Sequence, residues 1–200
     1  MSPEERPKPS GSGHRAGTGA RERILNTAYE LFSRNGIRAI GISRIIEESG
    51  VAKMSLYNNF ASKEELVLAF LELREERWTR GWLEPEIERL AKNPEGRSLA
   101  LFDVLDDWFR WGDFERDSFS NSLLEIHDTA DQISEACVRH LDVIKAMIED
   151  HAEQAGIASP EKVAYQLQIL MMGAIVSACR GDLDAGRRAR ELAELLLSDP

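Results

Sequence analysis

A chain of 200 residues, 42% hydrophobic and 30% charged, is long enough for one compact domain or for a small head on a larger body, and its apolar share excludes wholesale disorder. The formal charge of −10 argues against a polyanion partner for the chain as a whole. Yet residues 1–63 hold ten Lys and Arg against six Asp and Glu, and the remainder fifteen against twenty-nine, so nucleic acid stays open as a partner of the basic head alone.

Residues 1–19 combine Pro, Gly, Ser and charge without apolar periodicity and read as a disordered arm. They contain no apolar segment of the kind a secretory signal needs. Elsewhere no apolar run approaches the ~20 residues that cross a bilayer. Cys137 and Cys179 lie far apart in helical patterns and make no disulfide framework, so a cytoplasmic, soluble chain is expected.

Beyond the arm almost every segment has helical period. Ile24, Ala28, Leu31 and Phe32 recur at i, i+4, i+7 and i+8, and Asn35-Gly36 ends that helix. A short helix carries Ile42, Ile45 and Ile46 and stops at Ser49-Gly50. A third spans about Lys53 to Asn59, with Leu56 and Phe60 inward. Ser62-Lys63-Glu64-Glu65 reads as a capping box opening a long helix through Leu66, Phe70, Trp78 and Trp82, which Pro85 limits or kinks. Asn93-Pro94-Glu95-Gly96 reads as a loop. Leu101 to Phe109 predicts a helix ended by Gly112, Phe119 to Ile126 a shorter one, and Val138 to Ala155 a long one closed by Gly156. Ser159-Pro160 is a helix start, with Ser as the cap. The helix that follows, to Cys179, is apolar nearly all round and must be buried on every side. Ala189 to Leu197 predicts the last helix. With no convincing strand, the expected fold class is all-α.

The second and third helices are separated only by Gly50-Val51-Ala52, the spacing of a helix-turn-helix, whose second helix enters the DNA major groove. A base-reading helix needs polar or compact residues outward and apolar ones inward. Lys53, Met54, Ser55, Asn58 and Asn59 suit the outer face, Tyr57 has a hydroxyl for a phosphate, and Lys63 at the next helix N-terminus makes a second phosphate clamp. The run from Gly50 to Leu66, with Ala28, Leu31, Phe32, Gly36 and Ile45 upstream, resembles the signature of the TetR family of bacterial transcriptional regulators. Carried over by position, the family's DNA contacts fall on Ser43, Arg44, Lys53, Met54, Ser55, Tyr57, Asn58, Asn59 and Lys63. The family has hydroxyl caps where this chain has Gly41 and Ala52, which removes two phosphate-binding hydroxyls.

The resemblance implies an N-terminal three-helix head and a larger C-terminal helical body that binds a small effector and forms a two-fold dimer. The expected domains are a 1–19 arm, a 20–66 helix-turn-helix domain and a 67–200 effector-binding and dimerisation domain. Two recognition helices would then stand ~34–36 Å apart on a near-palindromic operator of double-stranded DNA. A repressor is expected, since a bound dimer blocks polymerase by occupancy. Trp78, Trp82, Phe102, Trp108, Asn121 and His127 are candidates for the effector pocket. Leu167, Leu170, Met171, Ala174, Ile175, Leu192 and Leu196 are candidates for the dimer interface. Cys137 and His140, at i and i+3, leave a metal- or redox-responsive regulator as an alternative, although no second pair completes a zinc set. A helical interaction module without DNA binding is the other alternative. Asp103, Asp106 and Asp107 on one helix face read as solvated. Without a nucleophile elbow or phosphate loop, no enzyme and no cofactor are expected.

Overall fold

The computed structural model describes residues 19–111 and 132–198. These are helical, with no strand among them. The helices are α1 (Ala20–Asn35), α2 (Ile42–Ser49), α3 (Lys53–Asn59), α4 (Lys63–Arg74), a π-helical segment (Glu75–Leu83), α5 (Glu84–Leu90), α6 (Pro94–Phe109), α7 (Gln132–Gln154), α8 (Pro160–Cys179) and α9 (Ala185–Ser198). The disordered-arm reading of 1–18, the Gly112 stop and the helix read over Phe119 to Ile126 fall outside the described residues. Two compact units emerge, residues 19–77 with 132–140 and residues 78–111 with 141–198. Along the N-terminal half of the chain their boundary falls at Arg77–Trp78, inside the π-helical segment.

In the first unit α1 packs on α2, α3 and α4. Its stripe of Ile24, Ala28, Leu31 and Phe32 meets Ile45 of α2, Leu56 of α3 and Leu66 and Phe70 of α4 in one buried core. Tyr29 and Phe32 stand edge-on to Phe70 at 5.6 and 5.3 Å, a favourable aromatic geometry. Gly36 and Gly50 have φ of 83° and 65° and end α1 and α2 where the sequence placed the stops. A side chain at either would be strained.

In the second unit α9 packs on α6 and α8, and α6 on α5 and α8. Leu101, Leu105 and Phe109 of α6, Ile144 and Ile148 of α7, Leu167, Met171 and Ile175 of α8 and Ala189 and Ala193 of α9 share its core. Three local features depart from the sequence pattern. Pro94, Glu95 and Gly96 form the first turn of α6, with Pro94 at a position that needs no amide hydrogen. Ser159 precedes α8 but, at φ 55°, makes no capping hydrogen bond. The helix through Trp82 is not uniformly α: it widens to π over Glu75–Leu83 and returns to α at Glu84. α8 also has the length and composition to cross a bilayer, with a mean hydropathy of 1.3, against the expectation that no segment does. Val163, Leu167, Met171 and Ile175 bury it as a core helix of the body.

The acidic face of α6 is not simply solvated. Asp106 accepts a hydrogen bond from the backbone N–H of Arg187 in the first turn of α9, at 3.2 Å. Arg110 bridges Asp106 and Asp184 at 3.1 and 2.9 Å, and Arg190 meets Asp103 at 2.9 Å. Gly186 lies so close that a Cβ there would sit 2.7 Å from backbone atoms of Asp106.

Candidate nucleic-acid interface

The turn between α2 and α3 is built by Gly50 in the left-handed region, buried Val51 and extended Ala52, which precedes α3 without a side-chain cap. Leu56 and Phe60 anchor α3 inward and are fully buried. The same anchoring turns Lys53, Met54, Tyr57 and Asn58 outward at i, i+1, i+4 and i+5. Met54 is 71% and Tyr57 43% exposed, an unusual display of apolar surface for a short helix. Ser55 and Asn59, expected outward, are half-buried on the flank, and Asn59 Nδ2 donates to the Ser55 carbonyl at 2.7 Å.

On α2, Ser43 and Arg44 are exposed, and Arg44 Nε donates to Glu48 at 2.8 Å. Ser62 caps α4 by accepting from Glu65 N–H at 3.2 Å. Glu65 in return accepts from Ala61 N–H at 2.7 Å, one residue before the position a standard capping box uses. This fixes Lys63 at the first position of α4, half-buried, with desolvation holding its ammonium below the ordinary lysine value against the opposing charge of Glu64. Lysine at that place beside unpaired helix N–H groups suits an anion.

Trp78, Trp82, Phe102 and Trp108 are buried. The indoles of Trp78, Trp82 and Trp108 lie 5.3 to 6.0 Å apart, with Trp111 5.4 Å from Trp82. Asn121 and His127 lie outside the described residues. The seven dimer candidates differ in burial within the chain. Leu167, Met171, Ala174 and Ile175 are buried in the body's own core. Leu170 and Leu196 are half-buried and Leu192 exposed. The exposed apolar side chains of α8 are instead Tyr165, Ile169 and Val176, and of α9 Leu192 and Leu195. All-round apolarity hid which side of α8 faced its own core. Cys137 and His140 are buried on α7, and no group of three metal-binding side chains occurs among the described residues.

Comparison with known proteins agrees with this geometry. Residues 24–70 match the family described as bacterial regulatory proteins, tetR family. The HTH-type transcriptional regulator QacR of Staphylococcus aureus is 35% identical over 68 residues, 34% of this chain and 36% of that protein. YxaF of Bacillus subtilis, also an HTH-type transcriptional regulator, is 48% identical over 50 residues, 24% of this chain and 26% of that protein. The chain thus spans about a third or less of the curated relatives it matches. Over nearly full length it is similar to the crystal structure of SCO4454, a TetR-family transcriptional regulator from Streptomyces coelicolor (TM-score 0.80, 26% identity, 90% of this chain and 95% of that one). With a helix-turn-helix head, a helical body and these likenesses together, the chain belongs to the TetR family of bacterial transcriptional regulators.

Proposed function

We propose that this chain is a cytoplasmic transcriptional repressor that binds a near-palindromic duplex as a homodimer and is controlled by a small molecule held in its helical body. The observation that carries the reading is the outward face of α3. Lys53 supplies charge to the phosphate backbone, Asn58 a carboxamide suited to an adenine edge, and Met54 an apolar tip suited to a thymine methyl. Ser43, Arg44, Tyr57 and Lys63 flank it as further contacts. Ser55 and Asn59, turned aside, contribute through helix geometry.

Dimerisation is supported by exposed Tyr165, Ile169, Val176, Leu192 and Leu195 on two helices that pack together, a larger apolar display than an isolated body favours. Effector binding is supported by the tryptophan cluster. Trp82 is 3% exposed, and among the described residues its Nε1–H has no hydrogen-bond partner. A buried donor left open costs stability and suits an acceptor on a bound molecule. Two of these indoles ride on a π-helical segment, a geometry enriched at functional sites.

The test is a fluorescence-anisotropy titration with a duplex selected by the wild-type protein from a randomised pool. Lys53→Ala and Tyr57→Phe should each weaken binding without changing oligomeric state, by roughly five- to tenfold. Met54→Gln should shift the selected sequence rather than weaken all sequences alike. Unchanged affinity in both of the first two variants overturns the reading.

A further inference from the structure

We infer that Arg21 is a DNA-backbone contact that Phe60 holds at the end of the recognition helix. The inference rests on the DNA-binding reading above and adds a residue that precedes the family-matched segment, which begins at residue 24.

The Arg21 guanidinium carbon lies 4.7 Å from the centroid of the Phe60 ring, within cation–π range. Phe60 is the residue that ends α3, its N–H donating to the Leu56 carbonyl at 2.9 Å, and it is fully buried. Arg21 itself is exposed. A cation in the first turn of α1 is thereby fastened to the C-terminal end of α3 by a ring that cannot move without disturbing the head's core.

Among the described residues the charge is uncommitted. Arg34 and Arg44 of the same head each bind a carboxylate four residues away, Glu30 and Glu48. Arg21 has Ile24 and Leu25 at the corresponding spacings, and among the described residues no carboxylate pairs with it. A ring beneath the guanidinium carbon uses none of its N–H groups as conventional hydrogen-bond donors, and these can receive a phosphate. An α-helix is about 10–12 Å across and the major groove about 12 Å wide, so a helix seated in the groove has a phosphate strand close on each flank, within reach of groups that neighbouring helices hold beside it. A guanidinium fixed at the end of α3 meets one of them.

The experiment is the anisotropy titration with the full-length protein, on the selected duplex and a scrambled duplex, over a series of salt concentrations. Arg21→Gln should weaken both duplexes by roughly fivefold and make the slope of log affinity against log salt shallower by about one contact. Arg21→Lys should keep most of the slope, because the charge remains. In a Phe60→Leu background, checked for folding by thermal melting, Arg21→Gln should have a smaller effect, since the ring no longer holds the cation. An unchanged salt slope in Arg21→Gln overturns the contact, and an equal effect in both backgrounds overturns the role of Phe60. If Lys53→Ala weakens binding while Arg21→Gln does not, this inference alone fails. If the wild type binds no duplex, the DNA-binding reading fails with it.

Discussion

Asn58 and Asn59 are neighbours of one residue type, and the helix gives them different work. Asn59 spends its amide donor on the Ser55 carbonyl one turn back, whereas Asn58 stays exposed. That distinction comes from a 100° rotation per residue about an axis fixed by Leu56 and Phe60. A single buried side chain also sets a pH dependence. His151 on α7 is buried, and desolvation, reinforced by the positive charge of Arg97, holds its imidazole below the ordinary value, with Asp150 and Glu88 opposing. Above about pH 6.5 the group is neutral in both folded and unfolded chains and has no effect on stability. Below that, the unfolded chain takes up a proton that the folded chain resists, so stability falls as the pH drops toward the folded value. Melting temperatures measured across this range should decline on acidification, and His151→Gln should flatten the decline. An unaltered slope in that variant would assign the effect elsewhere.

At the scale of elements, helix ends were easier to read than helix interiors. Gly36 and Gly50 stop α1 and α2 because left-handed backbone is cheap only for glycine. Ser62 opens α4 because its hydroxyl meets an otherwise unpaired N–H. The π-helical turn over Glu75–Leu83 left no such mark. Trp, Thr and Gly are weak α-formers, but weak α propensity does not by itself distinguish a π turn from an α turn. The α6–α9 contact was equally hidden, since three aspartates on one face look the same whether solvated or capping another helix. Gly186→Ala would drive a Cβ into the Asp106 backbone and should destabilise the fold by about 1–3 kcal/mol, read as a lower urea midpoint at unchanged m-value. A neutral result would mean that α6 and α9 can separate without loss.

For the whole molecule, the proposed dimer depends on surface that no single helix pattern identifies. Ile169 is 59% and Leu195 70% exposed, and an outward-facing charge at either would be desolvated on pairing. Ile169→Glu and Leu195→Glu should therefore give a monomer by light scattering with little change in helical content. Weaker operator binding should follow, because two heads no longer bind as a unit. If both variants remain dimeric, the second copy does not use this surface.

The helical class, the helix-turn-helix spacing and the family were written in local sequence. Apolar period, glycine stops and the Gly50-to-Leu66 run act over a few residues, where chain geometry alone decides. The burial of Leu167, Met171, Ala174 and Ile175 was not legible, because α8 is apolar on nearly every side and only packing against α6 and α9 decides which of those sides is inward. The position of Arg21 was invisible for a related reason. It lies thirty-nine residues from Phe60 in the chain, and the tertiary fold of α1 against α3 is what brings a surface cation onto the ring that ends the recognition helix.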